Sequence, residues 1–209
     1  MRPGTFIVHC ISAVIIVTGC NYYLDANLAN LIQRIDSSTA LSAINSADIP
    51  DLLFPIVCVV AITSYACYLS RAKKEIFSRS TLFFQLIAYA VPVSYILKFC
   101  LKYVFGRITT RIWLVHPQLY GFHWFEGGGI YDGFPSGHML VFTTLFAAFW
   151  RFYPRYRYSC VILLLLLAVA LIATNYHFLG DVVAGVYFGL FVEAGTYQAL
   201  HSQRRHYGP

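Results

Sequence analysis

The sequence predicts an all-α membrane protein, a bundle of six transmembrane helices that forms one domain over residues 1–209. Three observations lead to this prediction. Hydrophobic residues make up 58% of the chain and charged residues only 11%, whereas soluble domains carry about 25% charged residues. The hydrophobic residues fall into six separate stretches, and the basic residues cluster beside them. Such a chain cannot enclose its apolar surface in one water-soluble core.

The six apolar stretches are the predicted spans. They cover residues 5–24, 52–69, 82–101, 139–152, 160–173 and 182–200. A spanning helix needs about 20 apolar residues, with a range near 17–25. The fourth and fifth stretches are shorter, so we extend them by residues 136–138 and 174–177. The first stretch could instead be a signal peptide, but only one basic residue, Arg2, precedes it, which favours a span.

Basic residues predict the orientation of the bundle. They lie before the first stretch, between the second and third, between the fourth and fifth, and after the sixth: Arg2, Arg71, Lys73, Lys74, Arg79, Arg151, Arg155, Arg157, Arg204 and Arg205. By the positive-inside rule this side, with both termini, faces the cytoplasm. The loops 25–51 and 102–134 then face outward. This clustering indicates membrane topology and not a nucleic-acid partner.

Two features are predicted for the outer loops. In the first loop, Leu28, Leu31, Ile32 and Ile35 recur at helical spacing, which predicts a short helix that lies on the membrane or caps the bundle. In the second loop, four aromatic residues form a predicted belt at the membrane surface: Trp113, Tyr120, Trp124 and Phe125.

Polar and sulfur-bearing residues inside the stretches are interpreted as structural. Glu193 is costly in lipid and should face the interior of the bundle. The six cysteines all lie in apolar stretches and form no CxxC pair, so we predict buried thiols, no disulfide and no metal site.

Two histidines are predicted to meet at the outward face. The motif Pro135-Ser136-Gly137-His138 opens the fourth stretch, and His177 and Asp181 open the sixth. One helix down and one helix up separate the histidines, so both return to the same surface. Asp181 follows His177 by one helical turn, so the carboxylate can fix the imidazole tautomer and leave the other nitrogen free to attack phosphorus.

Cations are also predicted at this outward face. Lys102, Arg107 and Arg111 follow the third stretch on the outer side, where the charge rule does not account for them but a bound anion would. The backbone N–H groups at a helix start near Ser136 and Gly137 would favour the same anion. For Arg111 the default interpretation is extension to the lipid headgroups. Metal-free phosphoester cleavage needs a nucleophile, an acid and fixed positive charge, for which His177, His138 and these groups are the candidates.

These residues resemble the type-2 phosphatidic acid phosphatase superfamily of membrane lipid phosphatases and phosphotransferases. Its motifs are KxxxxxxRP, PSGH and SRxxxxxHxxxD, and the match runs from Lys102 to Asp181. The resemblance implies a six-helix membrane core, with His177 as the nucleophile, Asp181 as its orienting carboxylate and His138 as the acid. It also implies a covalent phosphohistidine and no metal or other cofactor, so a chelator should not abolish activity.

The chain departs from the family pattern at two places. The Arg-Pro of the first motif falls on Thr109-Thr110, and the Ser-Arg of the third falls on Ala170-Leu171. Both phosphate-binding arginines of the family are therefore absent from their places. We expect one or both of Arg107, in a KxxFGR run, and Arg111 to replace them, with Arg107→Ala weakening phosphate binding more than Arg111→Ala.

The sequence thus predicts an integral membrane lipid phosphatase, in a bacterial inner membrane, with an outward-facing site. The candidate substrates are polyprenyl diphosphate, phosphatidylglycerophosphate, phosphatidic acid and lipid A. A first alternative is a phosphotransferase in which a lipid acceptor replaces water. A second is a transporter or scaffold that binds lipid and needs neither histidine.

Overall fold

The computed structural model describes residues 3–37, 52–74 and 78–207. Arg2 and most of the first predicted outer loop lie outside these ranges. Within them all regular structure is helical and no β-strand occurs. The helices are α1 (Pro3–Gly19), α2 (Asp25–Ser37), α3 (Leu53–Ala72), α4 (Arg79–Phe105), α5 (Thr110–Val115), α6 (Gly137–Phe152), α7 (Arg157–Ala173) and α8 (Leu179–Tyr207), and a π-helical turn, Cys20–Leu24, joins α1 to α2.

Five helical stretches within the described residues are long and apolar enough to cross a membrane, as expected of an integral membrane protein. They are Ile7–Ile35, Leu53–Ala72, Arg79–Phe105, Pro154–Ala173 and Leu179–Ser202. The fourth predicted span, residues 139–152, corresponds to α6, which has 16 residues and is not among these five. A straight helix of that length is shorter than the usual transmembrane range.

Three helix ends differ from the sequence prediction or sharpen it. α4 continues to Phe105, so Lys102 lies in the last turn of a helix and not in a loop. α6 does begin within the predicted extension, with Ser136 as its N-cap. The extension of α7 through residues 174–177 is wrong, because Asn175 takes a left-handed conformation (φ 50°). The N–H groups of Asn175 and Tyr176 bond back to Ile172 and Leu171, which closes α7 with a Schellman motif.

The predicted helix in the first outer loop is confirmed over the described residues. α2 continues from α1 through the π-helical turn and packs against α5 and α8, so it caps the bundle. Ala29 is buried and Leu28 and Ile32 line a narrow cleft, whereas Leu31 and Ile35 are exposed. The π-helical turn adds one residue to the helical repeat and thereby changes the direction in which the following side chains point.

The centre of the bundle is formed by α4, α6 and α8. α3 packs on α4, α1 on α8 and α7 on α6. The main core contains Leu86, Val91, Val141, Ala148 and Val192 from the three central helices. The outer helices α1, α3 and α7 expose many large apolar side chains, as contact with lipid permits.

An ion pair joins α6 and α8 at the end opposite the predicted site. The Arg151 guanidinium donates to both carboxylate oxygens of Glu193, with 2.8 Å between Nη2 and Oε2. The Glu193 side chain is buried. The prediction that Glu193 faces the bundle is confirmed, and Arg151 is the cation that compensates its charge.

Candidate active site

The residues singled out from the sequence come together at one end of the bundle. The end of α4, the start of α6, the turn after α7 and the start of α8 all lie there. A backbone hydrogen bond of 3.0 Å from Ser136 N–H to the Asp181 carbonyl joins the PSGH segment directly to α8. Two sequence motifs that are 45 residues apart in the chain are thus held in a fixed relation.

His177 and Asp181 form a buried pair, with His177 only 2% exposed and Asp181 fully enclosed. The Nδ1 atom of His177 lies 3.6 Å from Oδ2 of Asp181. The same oxygen accepts the Phe178 N–H at 3.0 Å. Because Nδ1 faces the carboxylate, a proton on Nδ1 is favoured and Nε2 is the nitrogen with the available lone pair.

His138 lies in the first turn of α6 and is 6% exposed. The Tyr176 ring contacts both imidazoles, with centroid separations of 6.3 Å to His138 and 4.9 Å to His177. The two histidines therefore share one aromatic neighbour at one end of the bundle.

The helix start at Ser136 and Gly137 is packed tightly against α4. The Ser136 hydroxyl caps α6 by accepting the Met139 N–H at 3.5 Å. A Cβ at position 137 would lie 2.9 Å from Cδ of Lys98 and 3.8 Å from its Nζ. The side of Gly137 expected to face a ligand is thus occupied by the Lys98 stem, which brings an ammonium group to the start of α6.

Lys102 lies one turn beyond Lys98 on α4 and pairs with Asp132. Its ammonium donates to the Asp132 carboxylate at 2.9 Å and to the Asp132 backbone carbonyl at 2.7 Å. The Lys102 side chain is 14% exposed and that of Asp132 is 45% exposed, so the pair lies at the border of the site. Solvent screens such a pair, so its lysine can exchange partners at modest cost.

Arg107 lies inside the protein and not on an open face. Its side chain is fully enclosed. Nη1 donates to Asp181 at 2.6 Å, and Nη2 lies 2.8 Å from Asp25 and 2.8 Å from Asn21. The guanidinium also packs against the Phe178 ring, 4.5 Å from its centroid. This placement differs from the expected phosphate contact, because two carboxylates already hold the charge.

Electrostatics keep the Arg107 guanidinium charged. Burial alone would lower the pKa of Arg107, but the charges of Asp181 and Asp25 together raise it above the ordinary arginine range. The Tyr120 hydroxyl accepts from Arg107 at 3.2 Å and donates to the Asn21 carbonyl. Burial raises the pKa of Tyr120 to about 12 despite the nearby guanidinium. The tyrosine assigned to an aromatic belt is therefore part of this buried network.

Arg111 approaches the histidines from α5. Its Nε donates to the Thr174 carbonyl at 3.2 Å, at the end of α7. Its guanidinium lies over the Tyr176 ring, 5.2 Å from the centroid, and so next to the aromatic neighbour of both histidines. Nη2 is buried and has no hydrogen-bond partner among the described residues. An unpartnered buried donor beside the histidines fits an anion.

Sequence reasoning missed Lys98, Tyr176 and Asp25. Lys98 had a signal, because it precedes Lys102 by one helical turn and so shares its helix face. Asp25 stands next to the outer end of a predicted span, before an apolar stripe at helical spacing. Its contact with Arg107 spans 82 positions of sequence, which no local pattern reveals.

An apolar cavity of about 450 Å³ lies beside the site between α1 and α8. Ala13, Val17 and other α1 residues form one wall, and Ala184, Tyr187, Phe188 and Phe191 of α8 form another. Four aromatic residues complete it: Phe105, Phe122, Trp124 and Phe134. Phe134 immediately precedes the PSGH motif, so the cavity adjoins the site along the chain.

The chain is similar in sequence to known proteins. Residues 81–205 match the sequence model of the PAP2 superfamily. Two curated relatives are a lipid A 1-phosphatase of Rhizobium etli and a lipid A 1-phosphatase of Rhizobium johnstonii. Each is 34% identical over 71 residues, which is 34% of this chain and 31% or 29% of the relative, respectively, so less than a third of either relative is matched. No solved structure gives a significant match.

Proposed function

Because this chain belongs to the PAP2 superfamily, we propose that it is an integral membrane enzyme that hydrolyses a lipid phosphate through a phosphohistidine. The observation that carries the proposal is the buried His177–Asp181 pair, with His138 against the same tyrosine ring. A protein that only binds or transports lipid has no need of an imidazole that is oriented by a buried carboxylate.

In the first step the Nε2 lone pair of His177 attacks phosphorus. The nitrogen–phosphorus bond forms as the bond to the leaving oxygen breaks, and that oxygen departs with the electron pair and takes a proton from His138. The imidazole acquires positive charge, which the Asp181 carboxylate stabilises from the Nδ1 side. In the second step water attacks phosphorus, the nitrogen–phosphorus bond breaks towards nitrogen, and His138 accepts a proton from the water.

The phosphoryl oxygens need fixed positive charge, which we assign to Arg111, Lys102 and Lys98, with the N–H groups at the start of α6. Of these groups, Arg111 makes the main contact with the phosphoryl oxygens. The family arginine at position 171 is replaced here by Leu171, which packs fully buried against Met139 and Val182. Arg111 reaches the same end of α7, where it bonds to the Thr174 carbonyl. An arginine from α5 therefore substitutes for one from α7.

The proposed setting is a bacterial inner membrane, with the site on the periplasmic side and α6 as a sixth span within one membrane-embedded domain. The basic residues between α3 and α4, and between α6 and α7, would then lie in the cytoplasm. Lipid A is the first substrate to test, because both relatives carry the name lipid A 1-phosphatase. The apolar cavity between α1 and α8 would accept part of the hydrocarbon chain.

The experiment measures phosphate release from a panel of lipids in detergent micelles: lipid A, phosphatidic acid, phosphatidylglycerophosphate and a polyprenyl diphosphate. His177→Ala should lose nearly all turnover, by several orders of magnitude, as enzymes do on loss of a covalent nucleophile. His116→Ala is the control, because His116 is exposed on the same outer loop.

Each other outcome identifies an alternative. Full turnover in His177→Ala would exclude the phosphohistidine. Phosphorylated acceptor lipid in place of free phosphate would identify a phosphotransferase with the same histidine. Absence of turnover on every lipid by the folded wild-type protein would favour a binding or transport role.

A further inference from the structure

Asp25 stands out among the buried charges because it lies outside the residues that match the family, 81–205, and yet contacts the site. It is the first residue of α2, directly after the π-helical turn. Its side chain is fully enclosed. A carboxylate in such a place is costly unless it is paired and hydrogen-bonded.

Both oxygens of Asp25 are used, and both contacts lead to Asp181. Oδ2 accepts from Nη2 of Arg107 at 2.8 Å, and Nη1 of the same guanidinium donates to Asp181 at 2.6 Å. Oδ1 accepts the N–H of Gly180, the residue before Asp181, at 2.8 Å. A Cβ at position 180 would lie 2.8 Å from Oδ2 of Asp25, so this approach requires glycine. Asp25 thus holds the first turn of α8 through the backbone and through Arg107.

The charges in this cluster do not cancel. With both carboxylates ionised, Asp25 and Asp181 bring two negative charges against the single positive charge of Arg107, and all three side chains are fully enclosed. The remaining negative charge lies on the Nδ1 side of His177. It can stabilise the positive charge that the imidazole acquires when Nε2 bonds to phosphorus. Without Asp25 the cluster would be neutral, and Asp181 would be shared only between Arg107, the Phe178 N–H and His177.

We propose that Asp25 is a positioning residue for the catalytic pair: through Arg107 and the Gly180 N–H it fixes Asp181 against His177, and it supplies the negative charge that leaves the buried cluster anionic. This inference rests on the proposed function. It assigns Arg107 to the support of Asp181, and it makes the segment before residue 81 a part of the active site.

The main test is a double-mutant cycle with Asp25→Asn and Asp181→Asn on lipid A in detergent micelles, or on the panel lipid that the wild type hydrolyses fastest. Asp25→Asn should lower kcat about tenfold to a hundredfold, the effect that outer hydrogen-bond partners of metal-bound histidines have. KM should stay within about twofold, because Asp25 does not touch the substrate. In the Asp181→Asn background the same change should have almost no effect, because Asp25 acts through Asp181.

The pH profile separates positioning from a merely structural role. The charged and titratable groups at the same end of the bundle as His177 include Asp181 from α8, Asp25 from α2, Arg107 and Tyr120 from the outer loop, Arg111 from α5, Tyr176 from the turn after α7, His138 from α6, and Lys98 and Lys102 from α4. Tyr120, with its pKa near 12, does not titrate in the assay range. Asp25→Asn removes one negative charge and so disfavours protonated His177. The acid limb of kcat/KM should therefore move to lower pH, by about half a unit to one unit.

Two further variants keep the test decisive. Gly180→Ala pushes the Asp25 carboxylate away from the first turn of α8 and should show the same fall in kcat, whereas the acid limb should move less than in Asp25→Asn because the carboxylate keeps its charge. Asn27→Ala removes an exposed hydrogen bond of the same helix turn and should behave as wild type. Should Asp25→Asn fail to fold, Gly180→Ala supplies the result.

The outcomes distinguish this inference from the proposed function. If His177→Ala is inactive while Asp25→Asn has wild-type kcat and pH profile, only the role of Asp25 is overturned. Additive effects in the double-mutant cycle would also overturn it. So would a fall in the kcat of Asp25→Asn without a shift of that variant's acid limb. Turnover by His177→Ala would overturn the proposed function itself.

Discussion

In the proposed mechanism, different side chains around His177 bind the phosphate and hold the catalytic pair in place. Arg111 lies over Tyr176 with one amino group unpartnered among the described residues, whereas Arg107 has carboxylates on both of its amino groups. The geometry of a guanidinium group suits carboxylates and phosphates equally well, so the surroundings of each arginine decide which of the two it binds. Arg107 is buried among Asp25, Asp181 and Phe178, which favours a structural role over contact with phosphate.

The two arginines should therefore respond differently to substitution. Arg111→Ala should lower kcat/KM about a hundredfold, as loss of one transition-state donor does, while the thermal midpoint in detergent stays the same. Arg107→Ala should instead lower the stability of the fold by about 3–5 kcal/mol, because it leaves two buried carboxylates without their cation. Steady-state kinetics and thermal unfolding of both variants measure the difference.

Arg111→Lys serves as the control for charge alone and should recover part of the loss. A larger fall in kcat/KM for Arg107→Ala at unchanged thermal stability would restore the assignment that the KxxFGR spacing indicates.

At the scale of helices, the contact between α6 and α8 determines how the histidines face each other. Small residues allow the two helices to approach closely, as is common in membrane bundles. A Cβ at Gly185 would lie 2.7 Å from both the Met139 Cβ and the Ser136 carbonyl, so any side chain there would push α8 away from the PSGH segment. At Gly195 on the same helix nothing lies within 4 Å.

Gly185→Ala should consequently lower both stability and turnover. Overpacking of this kind costs about 1–3 kcal/mol, and the displaced helix moves Asp181 relative to Ser136. Gly195→Ala is the matched control and should keep wild-type kcat and an equal or higher thermal midpoint, because alanine favours helix over glycine. Equal behaviour of the two variants would contradict the role of close α6–α8 packing.

For the whole molecule, local patterns predicted those features that depend on neighbours in sequence. The start of α6 at the PSGH motif follows from capping. His177 does lie beside Asp181, but it precedes α8, which begins at Leu179, so the turn before the helix brings the two together and helical spacing does not. The predicted end of α7 lies too far along the chain, because the left-handed Asn175 closes the helix and the pattern of apolar residues does not reveal this. The contacts of Arg107 with Asp25 and Asp181 span 82 and 74 positions, so no local pattern in the sequence predicts them.

The cavity between α1 and α8 leads to a prediction about lipid length. Because the bilayer is itself apolar, a lipid chain gains no hydrophobic free energy on moving into the cavity. The cavity can therefore select a chain only by its shape. Ala13→Phe fills the cavity and should slow hydrolysis of long-chain lipid phosphates while a short-chain, water-soluble lipid phosphate is turned over as before. Ile15→Phe, at an exposed position of the same helix, is the control. Equal slowing of long and short chains in Ala13→Phe would show that the cavity does not hold the tail.

The Phe122 ring lies 5.3 Å from the Arg107 guanidinium and also lines that cavity, so a single layer of aromatic rings separates the hydrocarbon space from the buried charges. Such a layer is a barrier to water from the lipid side. In the proposed reaction, the water that cleaves the phosphohistidine would then enter from a side other than the cavity. The hydrocarbon chain of the lipid and the hydrolytic water would approach the phosphorus from separate directions. The proposed substrate would then not have to leave the membrane.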